Sequence, residues 1–73
     1  MLFTLVRKNR IHETGAESST SERCSTYDEA LKKFYQYLAA NVADTSVERF
    51  DITILNGDLI PCKSEHFVRE ASE

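Results

Sequence analysis

One stretch of this chain, and only one, repeats apolar residues at helical spacing. Between 27 and 43, Tyr27, Leu31, Phe34, Leu38 and Val42 fall on one side of a wheel turned about 100° per residue. Tyr35 and Tyr37 lie on its shoulders, with Tyr37 the tyrosine expected to be exposed, and Asp28, Lys32, Lys33 and Gln36 face away. One amphipathic helix cannot bury its stripe against itself, so the remaining segments must supply a sheet. The helix start is sharply marked. Thr26-Tyr27-Asp28-Glu29 has the form of a capping box, in which Thr26 accepts from a first-turn amide and Glu29 reaches back to the Thr26 amide. Asp28 adds negative charge at the positive end of the helix. Asp44-Thr45-Ser46 ends it with turn formers.

Outside this stretch the period changes from 3.6 to 2. Residues 47–55 (VERFDITIL) alternate, with Phe50, Ile52 and Ile54 on one side and Arg49, Asp51 and Thr53 on the other, which predicts a half-buried strand. Residues 2–8 (LFTLVRK) predict a second strand with apolar side chains on both faces, hence a central one. Asn9 and Gly15 mark 9–16 as a connection. Residues 17–25 (ESSTSERCS) have no apolar face. A structureless stretch that long is uncommon in so small a domain, and a polar, charged strand suits a sheet edge, so an edge strand paired with 2–8 is expected.

Asn56-Gly57 is a strong hairpin signal, returning the chain along 59–68. A two-residue loop places Leu55 opposite Asp58 and Ile52 opposite Pro61. A three-residue loop including Asp58 places Leu55 opposite Leu59, Ile54 opposite Ile60 and Ile52 opposite Cys62. The second register also pairs Asp51 with Lys63 and Arg49 with Glu65 on the outer side, and is favoured for that reason.

The fold expected is α+β in the order ββαββ, with one amphipathic helix on a four-stranded, mainly antiparallel sheet. The 73 residues form a single small domain, 1–73, with 69–73 a frayed tail. The expected core is Phe3, Leu5, Leu31, Phe34, Leu38, Val42, Phe50, Ile52, Ile54, Ile60 and Cys62. A single helix covers one sheet face only. Leu2, Val6, Leu55, Leu59, Pro61 and Phe67 are assigned to the other, as an interface for a homodimer or one protein partner. A globule this small gains from such an association.

Composition narrows the function classes. Apolar residues make up 41%, enough for a core, and the net charge of −3 argues against a nucleic-acid module. No apolar run approaches the ~20 residues of a membrane helix. The opening Met1-Leu2-Phe3-Thr4-Leu5-Val6 lacks a basic leader segment, so a cytoplasmic protein is expected. Glu65, Glu70 and Glu73 make the C-terminal end acidic. Cys24 and Cys62 are expected as two reduced thiols, with a Cys24–Cys62 bridge the one disulfide available after secretion.

Catalytic patterns are absent from the sequence. Gly15 and Gly57 are too far apart for a phosphate-binding loop, and no CxxC or HExxH occurs. Cys62 and His66 point to the same side of a strand but stand ~13 Å apart along it. His12, Cys24, Cys62 and His66 lack the spacing of a zinc site. No cofactor, metal or enzymatic activity is expected. A nucleic-acid alternative rests on the Arg7-Lys8-Asn9-Arg10 cluster, with Arg7, Lys8, Arg10 and Arg23 as contacts.

The strand ending RKN, the polar hairpin, and YDEALKKFYQYLAANVADTSVERFDITILNGDLIPCKSEHF over 27–67 resemble small proteins encoded in phages and prophages of gut Firmicutes. The shared elements are the DEALKKFYQYLAA helix, the ADTSVE linker and the hairpin after it. The resemblance implies an accessory protein of a mobile element, acting in a bacterial cytoplasm, and carries over no catalytic or binding residue. The expected function is non-enzymatic protein binding through the open sheet face or a sheet edge.

Overall fold

The computed structural model describes residues 2–69. The elements follow in the order β1 (Phe3–Ile11), β2 (Glu17–Cys24), α1 (Tyr27–Ala43), β3 (Val47–Leu55) and β4 (Pro61–Val68). They form one open antiparallel sheet, ordered β2-β1-β3-β4, with the helix on one face. This is the ββαββ, α+β arrangement. β1 is central and β2 is an edge strand, as alternation and polarity imply, although β1 runs on to Ile11 and the connection shortens. The Gly15 amide closes that turn on the Ile11 carbonyl at 2.8 Å, and Gly15 supplies the positive φ of 66° it requires.

Thr26 caps the helix, accepting from the Glu29 amide at 3.1 Å. Glu29 reaches back one residue further than a standard capping box, accepting from the Ser25 amide at 3.2 Å. No basic residue occupies the last turn. Arg69, expected in a frayed tail, fills that role. Its guanidinium donates to the carbonyls of Val42 (2.8 Å), Asp44 (2.7 Å) and Val47 (2.9 Å). These are carbonyls a helix end and the turn after it would leave to solvent. The rest of that tail, 70–73, lies outside the described residues.

The core is Leu5, Cys24, Ala30, Phe34, Val47, Phe50, Ile52 and Ile54, with Phe3, Ile11, Tyr27, Leu31, Tyr37, Leu38 and Phe67 packed partly against it. Two rotations separate this from expectation. The buried centre of the helix is Phe34 with Ala30, so the inward direction lies about 60° away from the centre of the expected stripe, toward Tyr37 and Asn41. Val42 therefore sits on a shoulder and is 53% exposed, and the exposed tyrosine is Tyr35, not Tyr37. The second rotation is in β4. Neither expected hairpin register forms. The loop spans Gly57, Asp58 and Leu59, closed by Leu59 N–H on Asn56 C=O at 2.9 Å. The Asn56 side chain accepts from the Asp58 and Ile60 amides at 2.8 and 3.0 Å. Leu55 then faces Pro61, but Ile54 faces Lys63. Cys62 is skipped as the extra residue of a bulge, and a single extra residue exchanges the two faces of everything after it. Cys62, the bulge residue, is thus exposed rather than core, and so is Ile60, which the longer loop sets opposite Asn56 beyond the end of β3; Lys63, Glu65 and Phe67 turn toward the helix side, opposite Ile54, Ile52 and Phe50.

A matching bulge lies at the other end of β3. Arg10 faces Arg49, Ile11 faces Val47, and Glu48 is skipped. The helix lies over β3, β1 and β2 and leaves the β4 backbone uncovered.

Candidate functional site

The open face of the sheet divides along its strands. At one end Leu55 lies between Thr4 and Pro61, with Val6 one step further along β1. Leu2 precedes β1 and Leu59 caps the hairpin at this same end, and they are 51% and 67% exposed. Five of the six expected interface residues, Leu2, Val6, Leu55, Leu59 and Pro61, therefore gather at one end. Phe67 does not join them. The Cys62 bulge places it on the helix face, its ring 6.0 Å from that of Phe50. Beyond Val6 the face turns polar, since Ser21 and Thr53 flank it and Ser64 follows on β4.

The opposite end is charged. Lys8, Arg10, Glu17, Arg49 and Asp51, with the small Ser18 and Ser19, surround a concavity of about 440 Å³. Arg10 and Arg49 are direct cross-strand partners. Arg10 Nε stands 3.5 Å from Glu48 and 3.9 Å from Glu17, and Arg49 Nε 3.4 Å from Asp51. Glu48, the bulge residue, also approaches His12 Nδ1 at 3.7 Å.

The four residues of the nucleic-acid alternative are dispersed. Lys8 and Arg10 share the charged end. Alternation sends Arg7 to the helix face, where its guanidinium stacks 3.7 Å from the Tyr37 ring centre. Arg23 lies opposite Thr4, at the apolar end. The cation that joins Lys8 and Arg10 is Arg49. Its sequence neighbours gave no sign of this, because only the β1/β3 register places it there.

On the helix side, Glu22 of β2 accepts from Lys33 Nζ and the Tyr37 hydroxyl, each at 3.0 Å. These bonds hold the Glu22 carboxyl below its usual 4.5, and the Lys33 ammonium above its usual 10.5. Beneath them Cys24 is buried, and burial pushes its thiol above the usual 9.0. A thiol in that state is a small apolar core group, not a nucleophile.

Both cysteines are free. They belong to opposite edge strands, about 14 Å apart at the usual strand spacing, too far for a disulfide. His66 faces Asp51 across β3/β4. No cluster of His, Cys, Asp or Glu able to hold a metal occurs among the described residues, and no helix there is long and apolar enough to cross a membrane. The surface thus presents an apolar end, a charged end and a bare strand edge, all features suited to contact. No family model matches the chain, and neither a curated protein nor a solved structure shows significant similarity to it.

Proposed function

We propose that this chain is a non-enzymatic binding protein that pairs with a second copy of itself along β4. The supporting observation is the composition of that edge. β4 has no strand on its outer side among the described residues and no helix over its backbone, the helix meeting it at the Lys63 side chain, 5.5 Å from the Tyr35 ring centre. Such an edge offers unpaired backbone groups to another strand. Antiparallel self-pairing centred on Ser64 brings Lys63 of each copy opposite Glu65 of the other, forming two opposite-charge pairs. The same register sets Ile60 beside Val68 of the second copy, and these are 57% and 65% exposed in the single chain. Arrangement in a two-fold pair would remove both from water. On the resemblance of its sequence to small phage and prophage proteins, we read this role as that of an accessory protein of a mobile element, acting in a bacterial cytoplasm.

Light scattering over a dilution series tests the proposal. A species of twice 8.3 kDa that dissociates on dilution is expected. Lys63→Glu and Glu65→Lys should each weaken it, and the double exchange should restore it. A monomer at every concentration, or a dimer indifferent to both exchanges, rejects β4 self-pairing.

A further inference from the structure

We propose that the charged end of the open face is a binding site for a phosphate-bearing small molecule, with the phosphate seated between the guanidinium groups of Arg10 and Arg49. Like charges directly opposed on a sheet destabilise it, and alternation alone does not require an arginine at either position. Arg10 and Arg49 nevertheless face one another across β1/β3. Their present carboxylate neighbours stand at 3.4–3.9 Å. Charge-assisted hydrogen bonds run at about 2.7–2.9 Å, so these are loose, exchangeable pairs. Lys8 lies opposite Asp51 yet makes no ion pair within 4.0 Å among the described residues, which leaves a third cation without a close anion.

The space is suited to such a ligand. The concavity of about 440 Å³ falls within the range of small-molecule sites. Its β2 wall is built from Ser18 and Ser19; the small Ser19 side chain, opposite Lys8, leaves room and its hydroxyl is free to donate, whereas the Ser18 hydroxyl donates to Asn9 Oδ1 on the other face. Three cations in one cluster match a single dianionic phosphate, not a run of them. Arg7 points to the helix face and Arg23 lies at the far end, the chain as a whole carries −3, and among the described residues this face has no Phe, Tyr or Trp for bases to stack on, His66 opposite Asp51 being its one aromatic ring. Those features favour a small phosphorylated ligand over a polynucleotide. Asp51, Glu17 and Glu48 compete for the same guanidinium groups, so the ligand displaces carboxylates as it enters. The site is lined by β1, β2 and β3 and takes no residue from β4, so this proposal and the self-pairing proposal fail separately.

The test is an amide-resolved NMR titration of the full chain, at constant ionic strength, with inorganic phosphate, adenosine 5′-monophosphate and adenosine as probes. Saturable shifts confined to residues 8–10, 17–19 and 49–51 are expected with the two phosphates and not with adenosine. Arg49→Gln should weaken binding about tenfold or more, the loss of a bidentate contact. Arg23→Gln removes the same charge at the far end and should change it by less than about twofold. Asp51→Asn should strengthen binding severalfold, and Glu65→Gln, an equal charge change on the helix side of β4, should not. All these side chains are on the surface, and unchanged spectra elsewhere confirm that each variant folds. Absence of saturation up to about 50 mM phosphate overturns the site, as does equal weakening by Arg23→Gln and Arg49→Gln. A single-stranded oligonucleotide of about 12 nucleotides binding about a hundredfold tighter than phosphate, with steep salt dependence, overturns the small-ligand assignment in favour of nucleic acid.

Discussion

The sheet has two edge strands of equal length, eight residues each, and they are held in opposite ways. β2 is almost wholly polar, yet it is fastened by side chains. Glu22 bonds to Lys33 and Tyr37 of the helix, and Cys24 enters the core. β4 carries more apolar residues than β2, yet only Lys63 and Phe67 are half-buried and none is buried. The difference comes from where the helix lies, over β3, β1 and β2. Apolar content did not decide which edge became part of the folded body. Cover by the helix did, and one carboxylate accepting two hydrogen bonds secured it.

Four measurements would sharpen or break that contrast. The largest effect should separate two phenylalanines. Phe34→Ala empties the centre of the core and should cost about 3–5 kcal/mol, enough to unfold a domain this small. Phe67→Ala, on β4, should cost about 1–2 kcal/mol. Equal losses in denaturant titration would mean that β4 is as firmly built in as the helix. Next, the two thiols should react at very different rates. A disulfide reagent should modify exposed Cys62 at once, and buried Cys24 about a thousandfold more slowly, through opening of the structure. Two thiols reacting together would show that β2 frays as easily as β4.

Glu22→Gln should cost about 1 kcal/mol at neutral pH, a figure reduced because the side chain remains 33% exposed. The effect has a defined pH window. The carboxyl titrates lower in the folded chain than its usual 4.5. Its contribution is therefore fully present above 4.5 and is lost as pH falls through the depressed folded value. Stability curves of the wild type and Glu22→Gln should converge on acidification; parallel curves would remove the pH-linked role of this carboxylate. The smallest change should have the opposite sign. Leu59 holds a φ of 62°, a left-handed conformation costly to a leucine, whereas Gly57 takes no positive φ. Leu59→Gly should stabilise by about 0.5–1 kcal/mol. A loss would mean that the exposed side chain contributes more than the backbone strain removes.

The sequence announces what depends on local pattern. The Thr26 cap, the helix range, alternation in 47–55 and even the polar β2 are visible because each follows from spacing or residue type within a few positions. Two single-residue bulges are not visible, since Glu48 and Cys62 look like ordinary strand residues until a partner strand skips them. Each decides a surface. The Cys62 bulge moved Phe67 to the helix face and Cys62 itself out of the expected core. The Glu48 bulge supplies a carboxylate to Arg10. The tilt of the helix wheel was equally hidden, because it depends on Tyr37 meeting Arg7 and Glu22, which lie 30 and 15 positions away. Both proposed contact surfaces, β4 and the Arg10–Arg49 end, depend on register, and hence on information no short window contains.

Arg69 has a consequence for how the chain is made. Protein synthesis proceeds at about 5–20 residues per second, so the arginine that closes the helix end emerges about 1–5 s after Ala43. During that interval β1, β2 and the helix are all available, but the last turn lacks its guanidinium and the central strand lacks its β3 neighbour. The nascent polypeptide must keep that half-formed layer from competing pairings until the hairpin arrives. The Ser- and Thr-rich sequence of β2, poor in apolar surface, is suited to such a wait.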